Sequence, residues 1–293
     1  MKFSSSINRP PYESADGYLQ VTQGCSHNRC LFCTYFKDQK FKKSSIEEIE
    51  DDIRQIPATF GAPKRIFLQG ADGFSADYDT LMKTAELLKK YVPSVQSIGG
   101  YARIDSFLDK SKQQLENMKD AGFADPYIGV ESGDDYVLKL MNKGYDAAMA
   151  REILEKLDIS GMPYIVNFLN GAAGKRYGLK NAQETARLYS GLHPSMINMS
   201  MMTLVPTTPL YRLAQRGRYV QSSEKEKLEE AREFIVRLDN HTIFMNEHAS
   251  NLFHVKCNLP DEKEALINFI SELIESKDES KMQKYREIVA NSF

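Results

Sequence analysis

The sequence predicts an α/β fold: a partial (β/α)6 TIM-like barrel with a mainly helical C-terminal extension. Three observations predict it. Between residues 17 and 220, short apolar runs typical of strands alternate six times with helical stretches. Each run is followed by a helix, which is typical of parallel strands joined by right-handed crossovers. From residue 221 the alternation stops, and SEKEKLEEAREFIVRLDN has a helical pattern.

The six predicted strands lie between recognisable helices. They are YLQVTQ at 18–23, RIFLQG at 65–70, VQSIGGY at 95–101, PYIGVES at 126–132, PYIVNFL at 163–169 and SMINMSMMTL at 195–204. The helix after the first strand begins with Ser45 and Glu48, which have the spacing of a capping box, and Ser223 and Glu226 repeat that spacing.

The number of units predicts the domain arrangement. Six βα units are too few to close an eight-stranded barrel, so one side should remain open. We therefore expect an N-terminal loop segment at 1–16, the partial barrel at 17–220, and an extension at 221–293 that covers the opening.

Composition narrows the functional class. The chain has 293 residues, 42% apolar and 27% charged, with a net charge of -2, and its basic residues are scattered. Nucleic acid binding is not indicated. The sequence has neither an apolar run long enough to span a membrane nor the apolar core of a signal peptide, so we expect a cytoplasmic protein without membrane contact. We also expect a monomer or weak dimer.

Polar and glycine residues follow each predicted strand. In a parallel barrel the carboxyl ends of the strands face one mouth, where active sites are built. The residues at these ends are Gly24 and Cys25, Gly70 and Asp72, Tyr101 and Arg103, Glu131 and Ser132, Asn167 and Asn170, and Thr203 and Pro206.

Three of the four cysteines lie in GCSHNRCLFC, residues 24–33, with C-x4-C-x2-C spacing. Cys257 lies far along the chain, which makes disulfides a poor explanation in a reducing compartment. Three thiolates on one loop suit a 4Fe-4S cluster that leaves one iron open. The alternatives are a structural zinc site completed by His27 and an electron carrier.

The cysteine loop, with aromatic Phe32 before its last cysteine and its place after the first strand, resembles the radical S-adenosylmethionine superfamily. The usual spacing has one residue fewer between the first two cysteines, but the longer variant also occurs. GVESGDDYVLKLMNKG at 129–144 resembles the coproporphyrinogen dehydrogenase branch, and VPTTPLY at 205–211 resembles Elongator-like and methylthiotransferase relatives.

The resemblance implies cofactors and a reaction. Cys25, Cys30 and Cys33 would hold a 4Fe-4S cluster, whose open iron binds S-adenosylmethionine. Reductive cleavage would give methionine and a 5'-deoxyadenosyl radical that abstracts hydrogen from a small-molecule or peptide substrate. A flavodoxin or ferredoxin would be the reductant.

The resemblance also implies cofactor-binding residues. QGAD at 69–72 takes the place of a Gly-Gly-Glu element that receives the methionine amine, with Gly70 matching and Asp72 one carbon short. The remaining matched or neighbouring positions are Phe32 in the cluster loop, Tyr101 and Arg103 by the third strand, Glu131 on the fourth strand, Lys143 in the following helix and Asn167 on the fifth strand.

Structural explanations compete at several of these positions. Gly70 could serve a tight turn, and Glu131 and Lys143 could form only an ion pair. His248 is a weak candidate for a proton shuttle, because a histidine in the polar stretch NEHASN is more often only hydrogen-bonded. The sequence shows no cobalamin domain, second cysteine cluster or basic RNA-binding barrel, which argues against the corresponding methyl-transfer and methylthiolation reactions.

Overall fold

The computed structural model describes residues 1–293 except 2, 5, 11, 14, 15, 250, 277 and 291–293. The strands are β1 (Gly17–Gln20), β2 (Thr22–Gln23), β3 (Lys42–Lys43), β4 (Arg65–Gln69), β5 (Ser97–Ala102), β6 (Phe123–Glu131), β7 (Ile165–Asn170), β8 (Met196–Met201), β9 (Thr242–Met245) and β10 (Lys256–Leu259). The helices are α1 (Ile46–Phe60), α2 (Tyr78–Tyr91), α3 (Lys112–Asp120), α4 (Asp135–Leu140), α5 (Ala147–Ser160), α6 (Gly178–Tyr189), α7 (Pro209–Gln215), α8 (Glu224–Arg237), α9 (Lys263–Ser276) and α10 (Glu279–Ala290).

The strands confirm the predicted α/β class. Eight of them form one sheet in the order β1-β4-β5-β6-β7-β8-β9-β10. The pairs β1-β4, β4-β5 and β5-β6 are parallel, as the strand-helix alternation predicts. The extension contributes two strands that were not predicted: β9 pairs parallel with β8, and β10 pairs antiparallel with β9.

The first predicted strand is divided in the structure. YLQVTQ was expected to continue to residue 23, but β1 ends at Gln20 and pairs with β4. Residues 22 and 23 instead form β2, which pairs antiparallel with β3, so that Thr22 faces Lys43. This small ribbon joins the chain just before the cysteines to the segment just after them.

The helices begin as their sequences predict. The Ser45 hydroxyl accepts the Glu48 N–H at 3.2 Å while the Glu48 carboxylate accepts the Ser45 N–H at 2.9 Å, and Ser223 with Glu226 forms the same box. In α1, Ile49, Ile53 and Ile56 recur at helical spacing and are fully buried. Among the described residues no helix is both long and apolar enough to cross a membrane.

The chain packs as two compact units. The first comprises residues 1–28, 35–129 and 152–165, and the second comprises 29–34, 130–151 and 166–293. In the first unit, Phe74 lies 5.7 Å from Phe107 and 5.9 Å from Phe123 between ring centroids. In the second, Phe168 of β7 packs on Phe234 of α8 at 4.3 Å. These are packing units, and the predicted boundary between 220 and 221 stays a prediction.

Candidate cofactor site

The first part of the cysteine loop is fixed in the first unit. Gly24, at φ 70°, places its carbonyl to accept the Ala71 N–H at 3.0 Å, which joins the loop to the end of β4. Asn28 adopts φ 47° and donates its N–H to the Cys25 Sγ at 3.4 Å. This contact holds the Cys25 sulfur against the backbone of the loop.

The second part of the loop is fixed in the second unit. Leu31 donates its N–H to the Met141 carbonyl at 3.0 Å and accepts the Leu210 N–H at 2.9 Å. Phe32 packs against the apolar cluster around Met141 and Leu210. Cys30, between these anchors, is 8% exposed, and Cys33 is half-buried.

The loop provides the donors that a cluster requires. None of the four cysteines, all of which the structure describes, forms a disulfide. Three thiol donors within ten residues fit a 4Fe-4S cluster by their chemistry and number. Across the part of the chain that the structure describes, no three His, Cys, Asp or Glu side chains are already gathered in a metal-binding arrangement.

Asp72 is the centre of a buried polar network in the first unit. Its carboxylate, 1% exposed, accepts hydroxyl hydrogens from Ser26 and from Ser106. Burial raises the pKa of Asp72, and the two hydroxyls and the charge of Arg103 oppose that rise. Asp72 thus binds the residue beside Cys25, and its predicted contact with the methionine amine stays a prediction.

The environment of Gly70 supports its structural explanation. Gly70 has φ 101°, and a Cβ added there would lie 2.6 Å from the Thr22 carbonyl oxygen. A side chain at this position would therefore collide with the backbone just before the cysteine loop. The close approach of β4 to that backbone is a sufficient reason for glycine, and a cofactor contact at Gly70 stays a prediction.

We predict that Gly70→Ala destabilises the fold more than Gly122→Ala does. Both glycines have φ 101°, but a Cβ at Gly122 would meet only the Gln96 carbonyl oxygen at 3.5 Å, an ordinary contact. Backbone strain should cost each variant about 1–2 kcal/mol, and the collision should add about 1–3 kcal/mol to Gly70→Ala. Thermal unfolding of the two variants measures the difference. Equal melting temperatures would contradict a steric role for Gly70.

Tyr101 and Arg103 lie at and after the end of β5. Tyr101 packs edge-on against Phe67 at 5.3 Å and Tyr127 at 5.5 Å, and burial raises its pKa. Arg103 is 4% exposed and pairs with both oxygens of Asp105, at 2.8 and 3.0 Å. Both residues therefore have structural contacts, and their predicted cofactor contacts stay predictions.

The second unit brings together three of the predicted residues. Asn167 donates its side-chain amide to Glu131 at 2.6 Å, and the Lys143 amino group donates to the other oxygen of Glu131 at 3.4 Å. All three side chains are buried. Glu131 also has φ 72°, a strained conformation for a residue with a side chain, and such strain is concentrated at functional sites. Lys143 was expected within a helix but lies after α4 ends at Leu140.

Two residues of this network were missed. On β8, Asn198 donates to the Asn167 side-chain carbonyl at 2.7 Å, and the Ser200 hydroxyl donates to the same oxygen at 3.1 Å. The methionines of SMINMSMMTL suggested only strand core. Asn198 and Ser200 are two residues apart, which places them on one face of the strand. Two polar residues with this spacing in an otherwise apolar strand are a sequence signal from which they could have been predicted.

The extension contacts the ends of β7 and β8. Glu230 of α8 is buried and accepts the Gly171 N–H at 2.8 Å and the Asn181 side-chain amide at 2.7 Å. Burial raises the pKa of Glu230 to about 8, against the effect of these donors. Arg286 of α10 bonds the Thr203 hydroxyl at 3.2 Å.

His248 lies in the loop between β9 and β10. Burial lowers its pKa, and the charges of Arg286 and His254 lower it further. A neutral imidazole is consistent with either a hydrogen-bonded residue or a proton acceptor, so its proposed catalytic part stays a prediction.

The sequence of the barrel decides the family. Residues 19–188, more than half of the chain, match the sequence model of the Radical SAM superfamily. The chain belongs to this superfamily. The predicted resemblance is thereby confirmed, and the cofactors of radical SAM enzymes are a 4Fe-4S cluster and S-adenosylmethionine.

The curated relatives have low sequence identity to this chain. The chain is 26% identical over 164 residues to tRNA-2-methylthio-N(6)-dimethylallyladenosine synthase of Dehalococcoides mccartyi strain BAV1, a match that covers 54% of this chain and 37% of that protein. It is 21% identical over 228 residues to heme chaperone HemW of Bacillus subtilis strain 168, which covers 76% of this chain and 60% of HemW. The match thus spans less than two thirds of either relative.

Comparison with solved structures confirms the fold. The cobalamin-dependent S-adenosylmethionine radical enzyme OxsB aligns with a TM-score of 0.59 and 16% identity, over 88% of this chain and 45% of OxsB. Methylornithine synthase (PylB) aligns with a TM-score of 0.51 and 13% identity, over 92% of this chain and 85% of that one. At these identities the likeness concerns the fold alone.

Proposed function

We propose that this protein is a radical SAM enzyme that cleaves S-adenosylmethionine reductively and acts on a small-molecule or peptide substrate. The observation that carries the proposal is the superfamily match over residues 19–188, which includes the three cysteines of the loop. When bound, the cluster and S-adenosylmethionine supply a 5'-deoxyadenosyl radical that abstracts hydrogen from the substrate.

Cys25, Cys30 and Cys33 are the proposed cluster ligands. Asn28 directs its N–H at the Cys25 sulfur, and the backbone of Leu31 holds Cys30 between two anchors. Each contact fixes the part of the loop that belongs to its own unit. Backbone that is already fixed loses less conformational entropy when metal binds, and three thiolate ligands leave one iron of a 4Fe-4S cluster open.

The proposed S-adenosylmethionine contacts are in the network of Glu131, Lys143 and Asn167. Glu131 accepts hydrogen bonds from Lys143 and from the Asn167 amide, while Asn198 and Ser200 fix the orientation of Asn167. The network therefore offers oriented donors and acceptors at the end of the strands. Such groups suit the ribose hydroxyls and the amino-acid portion of S-adenosylmethionine.

Anaerobic reconstitution tests the proposal. The protein is loaded with iron and sulfide, reduced with dithionite and given S-adenosylmethionine, and 5'-deoxyadenosine is measured by chromatography. We expect about four irons per chain and formation of 5'-deoxyadenosine. A protein that binds one zinc tightly and takes up no iron would instead have a structural metal site, and the enzyme hypothesis would be wrong.

We predict that Glu131→Gln weakens S-adenosylmethionine binding while the cluster remains. The substitution removes the charge that Lys143 balances but preserves the side-chain volume. Loss of one charge-assisted contact should raise the dissociation constant about tenfold. Equilibrium dialysis with the reconstituted protein measures it, and the exposed Glu275→Gln is the matched control. Unchanged affinity would place the cofactor away from Glu131.

A further inference from the structure

An exposed basic and aromatic segment directly follows the cysteine loop. We name residues 35–43, YFKDQKFKK, the basic segment. It carries four lysines and one aspartate in a chain whose net charge is -2. Tyr35 is 46% exposed and Phe41 is 37% exposed, and all four lysines are exposed. Aromatic residues are enriched at protein–protein interfaces, and clustered lysines attract an oppositely charged partner.

Asn28 fixes the basic segment to the cysteine loop. Its side-chain amide donates to the Phe36 carbonyl at 2.8 Å and to the Gln39 carbonyl at 3.3 Å, while Lys37 donates to the Asn28 carbonyl at 3.1 Å. The same residue directs its backbone N–H at the Cys25 sulfur. One residue therefore connects the surface segment to a proposed cluster ligand.

The backbone of the basic segment also runs close to the start of the cysteine loop. A Cβ on Gly24 would lie 3.3 Å from the Lys40 carbonyl oxygen, so the backbone at Lys40 runs close beside Gly24. Two of the four lysines have acidic partners. Lys42 and Lys43 lie in β3, where the Lys42 amino group pairs with the Glu48 carboxylate and the Lys43 amino group lies 3.9 Å from a carboxylate oxygen of Asp77. Lys37 and Lys40, which lie before β3, are the lysines of the segment nearest the cysteines in sequence.

We propose that the basic segment is the docking surface for an acidic one-electron carrier protein. The inference rests on the proposed function, because radical SAM enzymes need an external reductant. Electron-transfer complexes are small, weak and steered by opposite charges, which an exposed patch of lysines with two aromatic rings provides. In the transfer, the carrier's reduced centre loses one electron and the cluster gains it, and no bond forms or breaks.

The test compares a protein donor with a chemical one. A Lys37→Glu, Lys40→Glu variant is assayed for 5'-deoxyadenosine with a reduced acidic ferredoxin and, separately, with dithionite. With ferredoxin we expect the rate to fall about tenfold because the steering charge is reversed. With dithionite, which needs no docking, we expect the wild-type rate. Lys89→Glu, Lys284→Glu reverses two exposed lysines outside the segment and should behave as wild type with both donors.

A second variant and a binding measurement separate docking from loop damage. Lys40→Glu, Phe41→Ser leaves the Lys37 contact with Asn28 in place and should also slow only the ferredoxin reaction. Oxidised ferredoxin is titrated with each protein in the absence of S-adenosylmethionine, and its dissociation constant should rise about tenfold in both segment variants. Wild-type binding should weaken between about 20 and about 300 mM salt.

Each remaining outcome has a definite meaning. Equal ferredoxin affinity and rate in wild type, segment variants and control would overturn the docking surface while dithionite activity upholds the proposed function. Failure of dithionite to yield 5'-deoxyadenosine in the wild type would refute the proposed function. If the segment variants lost binding to a labelled RNA hairpin but kept their affinity for ferredoxin, the segment would contact nucleic acid, and the proposal would be wrong.

Discussion

Cys30→Ala is expected to leave the protein without a 4Fe-4S cluster and without S-adenosylmethionine cleavage. Cys30 is the most buried thiol of the loop, at 8% exposure. Both of its neighbours are held by hydrogen bonds: the Arg29 carbonyl accepts the Asn142 amide at 2.9 Å, and the backbone of Leu31 makes two hydrogen bonds. The nearest other thiols, Cys25 and Cys33, are themselves proposed ligands, so neither can replace it. Iron should fall from about four to below about one per chain.

Cys257→Ala is the matched control for this prediction. Cys257 is 5% exposed and lies in β10 opposite Phe244, and burial raises the pKa of its thiol to about 11. Such a thiol is unreactive, and its removal should cost about 1 kcal/mol of stability without loss of iron. Iron and sulfide analysis, with the visible spectrum, measures both variants. A full cluster in Cys30→Ala would show that the loop is not the ligand set.

The strands show how far the sequence predicts the fold. Apolar runs bounded by glycine and polar residues located the six strands of the barrel, because a buried strand has a run of apolar residues in its own sequence. β9 and β10 have four residues each and were missed. TIFM becomes a strand because β8 offers an edge 47 residues earlier in the chain, as Met196 pairs with Ile243 and Asn198 with Met245. That partner is not visible in a local pattern.

The sequence indicated candidate site residues where a short stretch of the chain carries the signal, and it did not indicate those whose partners lie far away in the chain. The cysteine spacing alone marked the loop, and strand ends marked Glu131 and Asn167. Ser26 and Asn28 were overlooked, although Ser26 meets Asp72, 46 positions away. A side chain's partner across such a separation is set by tertiary packing, and the sequence offers no period or spacing that specifies it.

Asp72→Ala is expected to reduce cluster retention, and not only S-adenosylmethionine affinity. The resemblance assigns Asp72 to the methionine amine, which predicts a normal cluster and weaker cofactor binding. In the structure, both carboxylate oxygens accept hydroxyl hydrogens, one of them from the residue next to Cys25. Alanine would remove the acceptor that holds the exposed Ser26 hydroxyl, and it would leave the buried Ser106 hydroxyl without its acceptor at a cost of about 1–3 kcal/mol. The Cys25 end of the loop should then become mobile.

The variants Asp72→Asn and Ser106→Ala separate the two explanations. Asparagine keeps one acceptor oxygen and should retain more cluster than alanine, whereas Ser106→Ala leaves the Ser26 contact in place and should retain nearly all of it. Iron per chain after gel filtration and the time course of iron loss to a chelator are measured beside the S-adenosylmethionine dissociation constant. If Asp72→Ala held its iron as wild type does and only its cofactor affinity fell, Asp72 would act on the amine. If iron loss follows the order Ala, Asn, wild type, Asp72 positions the Cys25 arm of the loop.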